Sequence, residues 1–198
     1  MGLHIAFVAN NNTNSLLTTY SGNGKNWGGS TPVGSESSKR PPAMSFASSG
    51  PQGFTLGFVA NDASNQLLVS HSADGVTWKP STPVQNQSSK AAPALAVFEN
   101  KLWIAFVAND ASNQLLVSQS ADGVTWKPST KVQSQFSKAA PALAVFESKL
   151  WIAFVANDAS NHLLVAHSAH GKNWSPSIEV NNQSSKAAPA FLGLAGAL

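Results

Sequence analysis

Residues 60–78 read ANDASNQLLVSHSADGVTW, and the chain says this more than once. Residues 108–126 repeat it with a single change, Gln119 in place of His71. Residues 156–174 carry a looser copy, and residues 9–27 one looser still. The anchor Phe-Val-Ala-Asn starts at Phe7, Phe58, Phe106 and Phe154, giving spacings of 51, 48 and 48 residues. Residues 58–105 and 106–153 differ at five positions only: His71/Gln119, Pro83/Lys131, Asn86/Ser134, Ser88/Phe136 and Asn100/Ser148. A repeat of this length points to a solenoid, a propeller or an array of small modules.

Each unit holds four apolar segments of strand length, separated by turn residues. In one unit they are PALAVF (93–98), LWIAFVA (102–108), LLVSQS (115–120) and VTWKPSTKV (124–132), here called a, b, c and d. Val, Leu, Phe and Trp dominate them, and Gly, Asn, Asp and Pro punctuate them. No window carries the 3.6-residue apolar period of a helix. Four strands per unit of about 48 residues is the pattern of a propeller blade. The fold expected is therefore all-β: a β-propeller with four blades of four antiparallel strands. It forms a single domain over 1–198, with units at approximately 3–47, 54–98, 102–146 and 150–194. The chain starts on a strand b, LHIAFVA, and ends on a strand a, AAPAFLGLAGAL at residues 187–198. Pairing that C-terminal strand with the N-terminal blade would close the ring and remove its open edges. Exchange of the same strand between chains, giving a dimer or a larger ring, is the alternative; a solenoid is the architectural one.

Composition narrows the function. Only 11% of the 198 residues are charged, against about 25% in an average domain. The net charge is +3, and Arg40 is the one arginine. Phosphate recognition needs clustered Lys and Arg, so no nucleic-acid partner is expected. No apolar run is long enough for a membrane span, and the N-terminal residues do not read as a signal peptide. The compartment stays open. Cysteine is absent, which removes disulfides and thiolate metal sites. No metal and no cofactor are expected.

The SADGVTW element resembles the Asp-box (BNR) repeat of the sialidase superfamily, Ser/Thr-x-Asp-x-Gly-x-Thr-Trp, found in the turn between strands c and d. The match runs through Ser72, Asp74, Gly75, Thr77 and Trp78, then Ser120, Asp122, Gly123, Thr125 and Trp126. Degenerate forms place Gly24 and Trp27 in the first unit and Gly171 and Trp174 in the last. All four lack one residue between the acid and the glycine. The resemblance implies a propeller and gives these residues a structural role: a tight turn followed by an aromatic plug. It also implies that this turn lies on the face opposite the ligand. A sialidase would further need three arginines and a Tyr/Glu pair; this chain has one arginine and one tyrosine, Tyr20. Most of the acids recur at equivalent positions, which spreads them over separate sites rather than one catalytic centre. Of the histidines, His71 and His167 share a slot that Gln119 and Tyr20 fill elsewhere. The chain is read as not an enzyme.

With strands alternating in direction, the b–c and d–a loops share one face. That face carries Asn61, Asp62 and Asn65, then Asn109, Asp110 and Asn113, then Asn157, Asp158 and Asn161. Lys90, Lys138 and Lys186 recur beside them. Amides and carboxylates at this density suit paired hydrogen bonds to vicinal hydroxyls. Trp103 and Trp151 are the candidate platforms for a sugar's apolar face, or else core. The expected function is a lectin-like, carbohydrate-binding propeller with repeated sites, similar in plan to propeller lectins of the tachylectin type. Its partners would be glycans or glycoconjugates, and it would be a monomer or a small homo-oligomer. A structural or protein-interaction propeller with no sugar site is the alternative.

Overall fold

The structure, a computed structural model, describes residues 2–194. Its strands fall into four antiparallel sheets that follow one another along the chain. The first holds β1 (Leu3–Val8), β2 (Ser15–Ser21) and β3 (Thr31–Ser37). The second holds β4 (Ala43–Ala47), β5 (Gly53–Val59), β6 (Gln66–Ser72) and β7 (Thr82–Ser88). The third runs β8 (Ala94–Phe98), β9 (Lys101–Val107), β10 (Gln114–Ser120) and β11 (Thr130–Phe136). The fourth runs β12 (Ala142–Phe146), β13 (Lys149–Val155), β14 (His162–Ser168) and β15 (Ile178–Ser184). The inner strands stand side by side, β4 next to β8 and β8 next to β12. This is a four-bladed β-propeller.

Strand b shows why the blades stack. In β9 every residue from Leu102 to Val107 is buried, so both of its faces are covered. Leu102, Ile104 and Phe106 pack with Leu67, Val69 and Val84 of the blade before. Trp103, Ala105 and Val107 pack toward Leu150, Ile152 and Phe154 of the blade after. A continuous apolar run is what such a doubly covered strand requires. The core thus lies between blades rather than within them.

Two expectations change. Strand d was placed at 124–132, but β11 begins at Thr130 and extends to Phe136. Residues before it keep only the Ser120–Trp126 bridge to β10, and the same break occurs in the first blade, where Gly29 holds the place of Pro128 and β3 starts at Thr31. Trp126 instead turns inward and is 4% exposed, its segment tied back by Lys127 N–H to the Gln119 carbonyl at 2.9 Å. A left-handed residue, Gln133 at φ 45°, then shifts the β10–β11 register.

The second change concerns ring closure. The first sheet has three strands, and β1 has no inner partner among the described residues. Residues 187–194, expected to supply it, form no strand. Residues 191–194 line a pocket together with Phe146, Trp151 and Val165 of the fourth blade. The rest of the expected strand, 195–198, lies outside the described residues.

Candidate ligand site

The c–d turns are built from their own side chains. Asp74 Oδ1 accepts the N–H groups of Val76 (2.8 Å) and Thr77 (2.7 Å) and the hydroxyl of Ser72 (2.8 Å). Gly75 donates its N–H to Ser72 Oγ at 2.8 Å and sits at φ 76°. Ser120, Asp122, Gly123, Val124 and Thr125 repeat the arrangement. The backbone donors hold both aspartates well below the ordinary carboxylate range. In the first blade Asn23 substitutes, accepting from Lys25 and Asn26 at 2.9 Å each. These turns also join blades. Gly75 abuts His4, Gly123 abuts His71, and Gly171 abuts Trp103, each on the preceding blade. A Cβ at Gly123 would lie 2.6 Å from the His71 ring. The acids here therefore fasten turns.

On the opposite face the asparagines and lysines meet as the sequence requires. Asp62, Asp110 and Asp158 each accept the N–H and hydroxyl of the serine two residues on. Those serines, through the hydroxyl first, lower the pKa of all three carboxyls. Asn65 and Asn113 hold left-handed turns at φ 51° and 58°. Their amides reach the next blade: Asn14 to Asn61 at 3.3 Å, Asn65 to Asn109 at 3.3 Å, Asn113 to Asn157 at 3.1 Å. Lys90 donates to Asn113 Oδ1 (2.6 Å), and Lys138 to Asn161 Oδ1 (2.5 Å). Lys186 is exposed beyond β15. Much of this polar set forms a ladder across blades, and its free edges face solvent.

The two tryptophans differ from each other. Trp103 is 2% exposed, its Nε1–H donating to the Phe98 carbonyl at 3.3 Å. Trp151 is half-buried, tilted onto His167 with ring centres 4.6 Å apart. An accessible aromatic stands elsewhere. Phe136, at the end of β11, is 39% exposed. With Ser112 and Gln135 it faces Asn157 and Asp158 of the next blade across an open cleft of about 490 Å³. Sequence reasoning passed over Phe136, although its substitution for Ser88 was one of the five differences between the two nearly identical units. A second cleft of about 640 Å³ opens between the same blades on the c–d turn side. There His170 Nδ1 meets Glu99 at 2.9 Å, with Lys101 3.9 Å from the same carboxylate.

Residues 50–190 match the DUF6242 beta-propeller domain, and the chain belongs to that family. No curated protein shows significant sequence similarity to it. Among solved structures it is similar to the BP39L lectin of Burkholderia pseudomallei, with a TM-score of 0.69 and 18% identity over 85% of this chain. It is similar also to an alpha-L-arabinanase of Penicillium chrysogenum complexed with arabinobiose, with a TM-score of 0.67 and 12% identity over 90% of this chain. The NanB sialidase of Streptococcus pneumoniae superposes with a TM-score of 0.60 and 14% identity over 81%. The chain spans 49% of the lectin, 63% of the arabinanase and 27% of the sialidase. At these identities the likeness is one of fold.

Proposed function

We propose that this chain is a non-catalytic, lectin-like propeller that binds carbohydrate in clefts between blades on its Asn-rich face. The observation that carries the reading is Phe136. An exposed ring beside Asn157, Asp158, Ser112 and Gln135 combines an apolar platform for a sugar's C–H face with groups that pair with its hydroxyls. The ladder residues Asn61, Asp62, Asn65, Asn109, Asp110, Asn113 and Asn161, with the adjoining lysines, would form weaker equivalents at the other interfaces. Presentation of several such sites suits avidity. The lectin among the similar structures supports a sugar ligand. The non-catalytic reading is supported by the single arginine and by the five aspartates, each engaged in its own turn.

A glycan array with millimolar monosaccharide competition tests the reading. Competable binding is expected, with one stronger site per chain by calorimetry. Replacing Phe136 with Ser, the residue at position 88, should weaken that site about tenfold through loss of ring stacking. No binding to any glycan overturns the reading.

A further inference from the structure

We infer that the cleft between the third and fourth blades, on the c–d turn side, is a second ligand site that takes the oxyanion of an acidic sugar through Lys127 and Lys172. It lies on the opposite face from the Phe136 cleft and goes beyond the function proposed there. The three boundaries between blades are built from equivalent positions, and this one departs from the others in closure and in charge. At the second boundary His71 reaches across, its Nε2 donating to the Gly123 carbonyl at 2.7 Å. At the third, Gln119 holds the same slot, and no counterpart of that bond forms among the described residues. Gln119 instead lines two adjoining clefts, of about 640 Å³ and 330 Å³. At the first boundary the place of the smaller cleft holds about 190 Å³, lined by Tyr20, Gly28, Gly75 and Val76 among others, with no charged residue.

The turn of the fourth blade changes the charge. Residues 120–126 read SADGVTW and residues 168–174 read SAHGKNW, so His170 stands where Asp122 does and Lys172 where Val124 does. Asp122 is occupied by the N–H groups of its own turn. His170 instead spans the cleft, its Nδ1 2.9 Å from Glu99 Oε1 on the third blade. Lys101 lies 3.9 Å from the same carboxylate. Glu99 is the one carboxylate in the lining of either cleft, and both of these partners engage it. Lys127 and Lys172 line both clefts and are exposed. Neither has a carboxylate within 4 Å among the described residues. Two ammonium groups without counter-charges, facing one concave surface, attract an anion and can hydrogen-bond its oxygens. The amides of Gln119 and Asn173 stand beside them to pair with hydroxyls. The clefts have the volume of small-ligand sites, more than a bare ion needs. Trp103 in the lining is 2% exposed, which leaves no large aromatic face for a nucleotide base to stack on.

Amide NMR titration of the 198-residue chain at low salt tests this, read at Gly171, Lys172 and Asn173. Galactose 6-sulfate and galacturonic acid separate a sulfate ester from a carboxylate. At least one should bind there at least about tenfold more tightly than galactose, as a hydrogen bond to a charged group predicts, and added salt should weaken it. Lys127→Ser with Lys172→Val carries the residues of the fourth and third blades at those positions, so the fold is kept. This pair should lose at least about tenfold in affinity. Lys25→Val with Lys131→Pro removes the same charge elsewhere, with the residues of the second blade, and should leave binding unchanged, as should Phe136→Ser. No preference for either acidic sugar over galactose overturns the inference. So does an equal loss in the Lys25 and Lys131 pair, which would mean general attraction to a basic chain. Loss with Phe136→Ser overturns it by placing the acidic sugar in the other cleft. Tighter binding of inorganic sulfate, adenosine monophosphate or a glutamate dipeptide than of both sugars overturns the sugar as ligand. Failure of the Phe136 cleft to bind any glycan leaves each of these outcomes readable.

Discussion

Asp122 and Gly123 show how much one turn asks of two residues. Asp122 takes three hydrogen bonds in the folded chain, so it binds a proton less readily there than when unfolded. As pH falls below the ordinary value of 3.8, the unfolded state takes up that proton first and stability drains away. Asp122→Asn keeps one acceptor and loses the titration, so urea midpoints should fall less steeply with acid than in the parent chain. Gly123 is held at φ 78° against His71. Gly123→Ala should cost about 2 kcal/mol or more in thermal or urea unfolding. Gly29→Ala, with no atom within 4 Å of the added methyl, should be neutral. His71 is a second reporter. Its Nε2 donates to the Gly123 carbonyl at 2.7 Å and its Nδ1 accepts from Thr55 at 3.0 Å, an arrangement of the neutral ring. Burial lowers its pKa, so stability present above pH 6.5 should fall as pH drops below that value. His71→Gln, which copies the third blade, should remove that part of the slope.

Strand b and the plug are what each element contributes to stability. Trp126 sits in a cluster with Leu67, Val69, Val84 and Phe106, drawn from two blades. Trp126→Ala should cost about 3–5 kcal/mol by chemical unfolding, the range for emptying a buried aromatic site. The strand order, the two loop faces and the b and c strands were legible from the repeat alone, because turn residues and apolar runs fall at fixed offsets. Strand d was not. Its sequence VTWKPST reads as strand, but Trp126 turns onto the neighbouring blade and the ladder resumes only at Thr130. Nor was the exposure of Phe136 legible, because an aromatic in a strand reads equally as core or surface until the neighbouring blade is in place. Trp103 went to the core and Phe136 to the rim.

Across the whole molecule, the same plug position is buried to different depths in different blades. Trp27→Ala should cost less than Trp126→Ala by chemical unfolding, since Trp27 is 41% exposed and Trp126 4%.

The repeat by itself determined the blades, their number and the two faces, since a 48-residue period with four apolar runs has few ways to hide them. Which aromatics stayed accessible beside the Asn-rich loops, and whether residues 187–194 paired with β1, only the tertiary structure decided. Both depend on what lies across a blade boundary, and a side chain's exposure there is set by the neighbour's surface rather than by its own segment. The C-terminal AAPAFLGL has the letters of a strand, but a strand forms only where another edge is within reach.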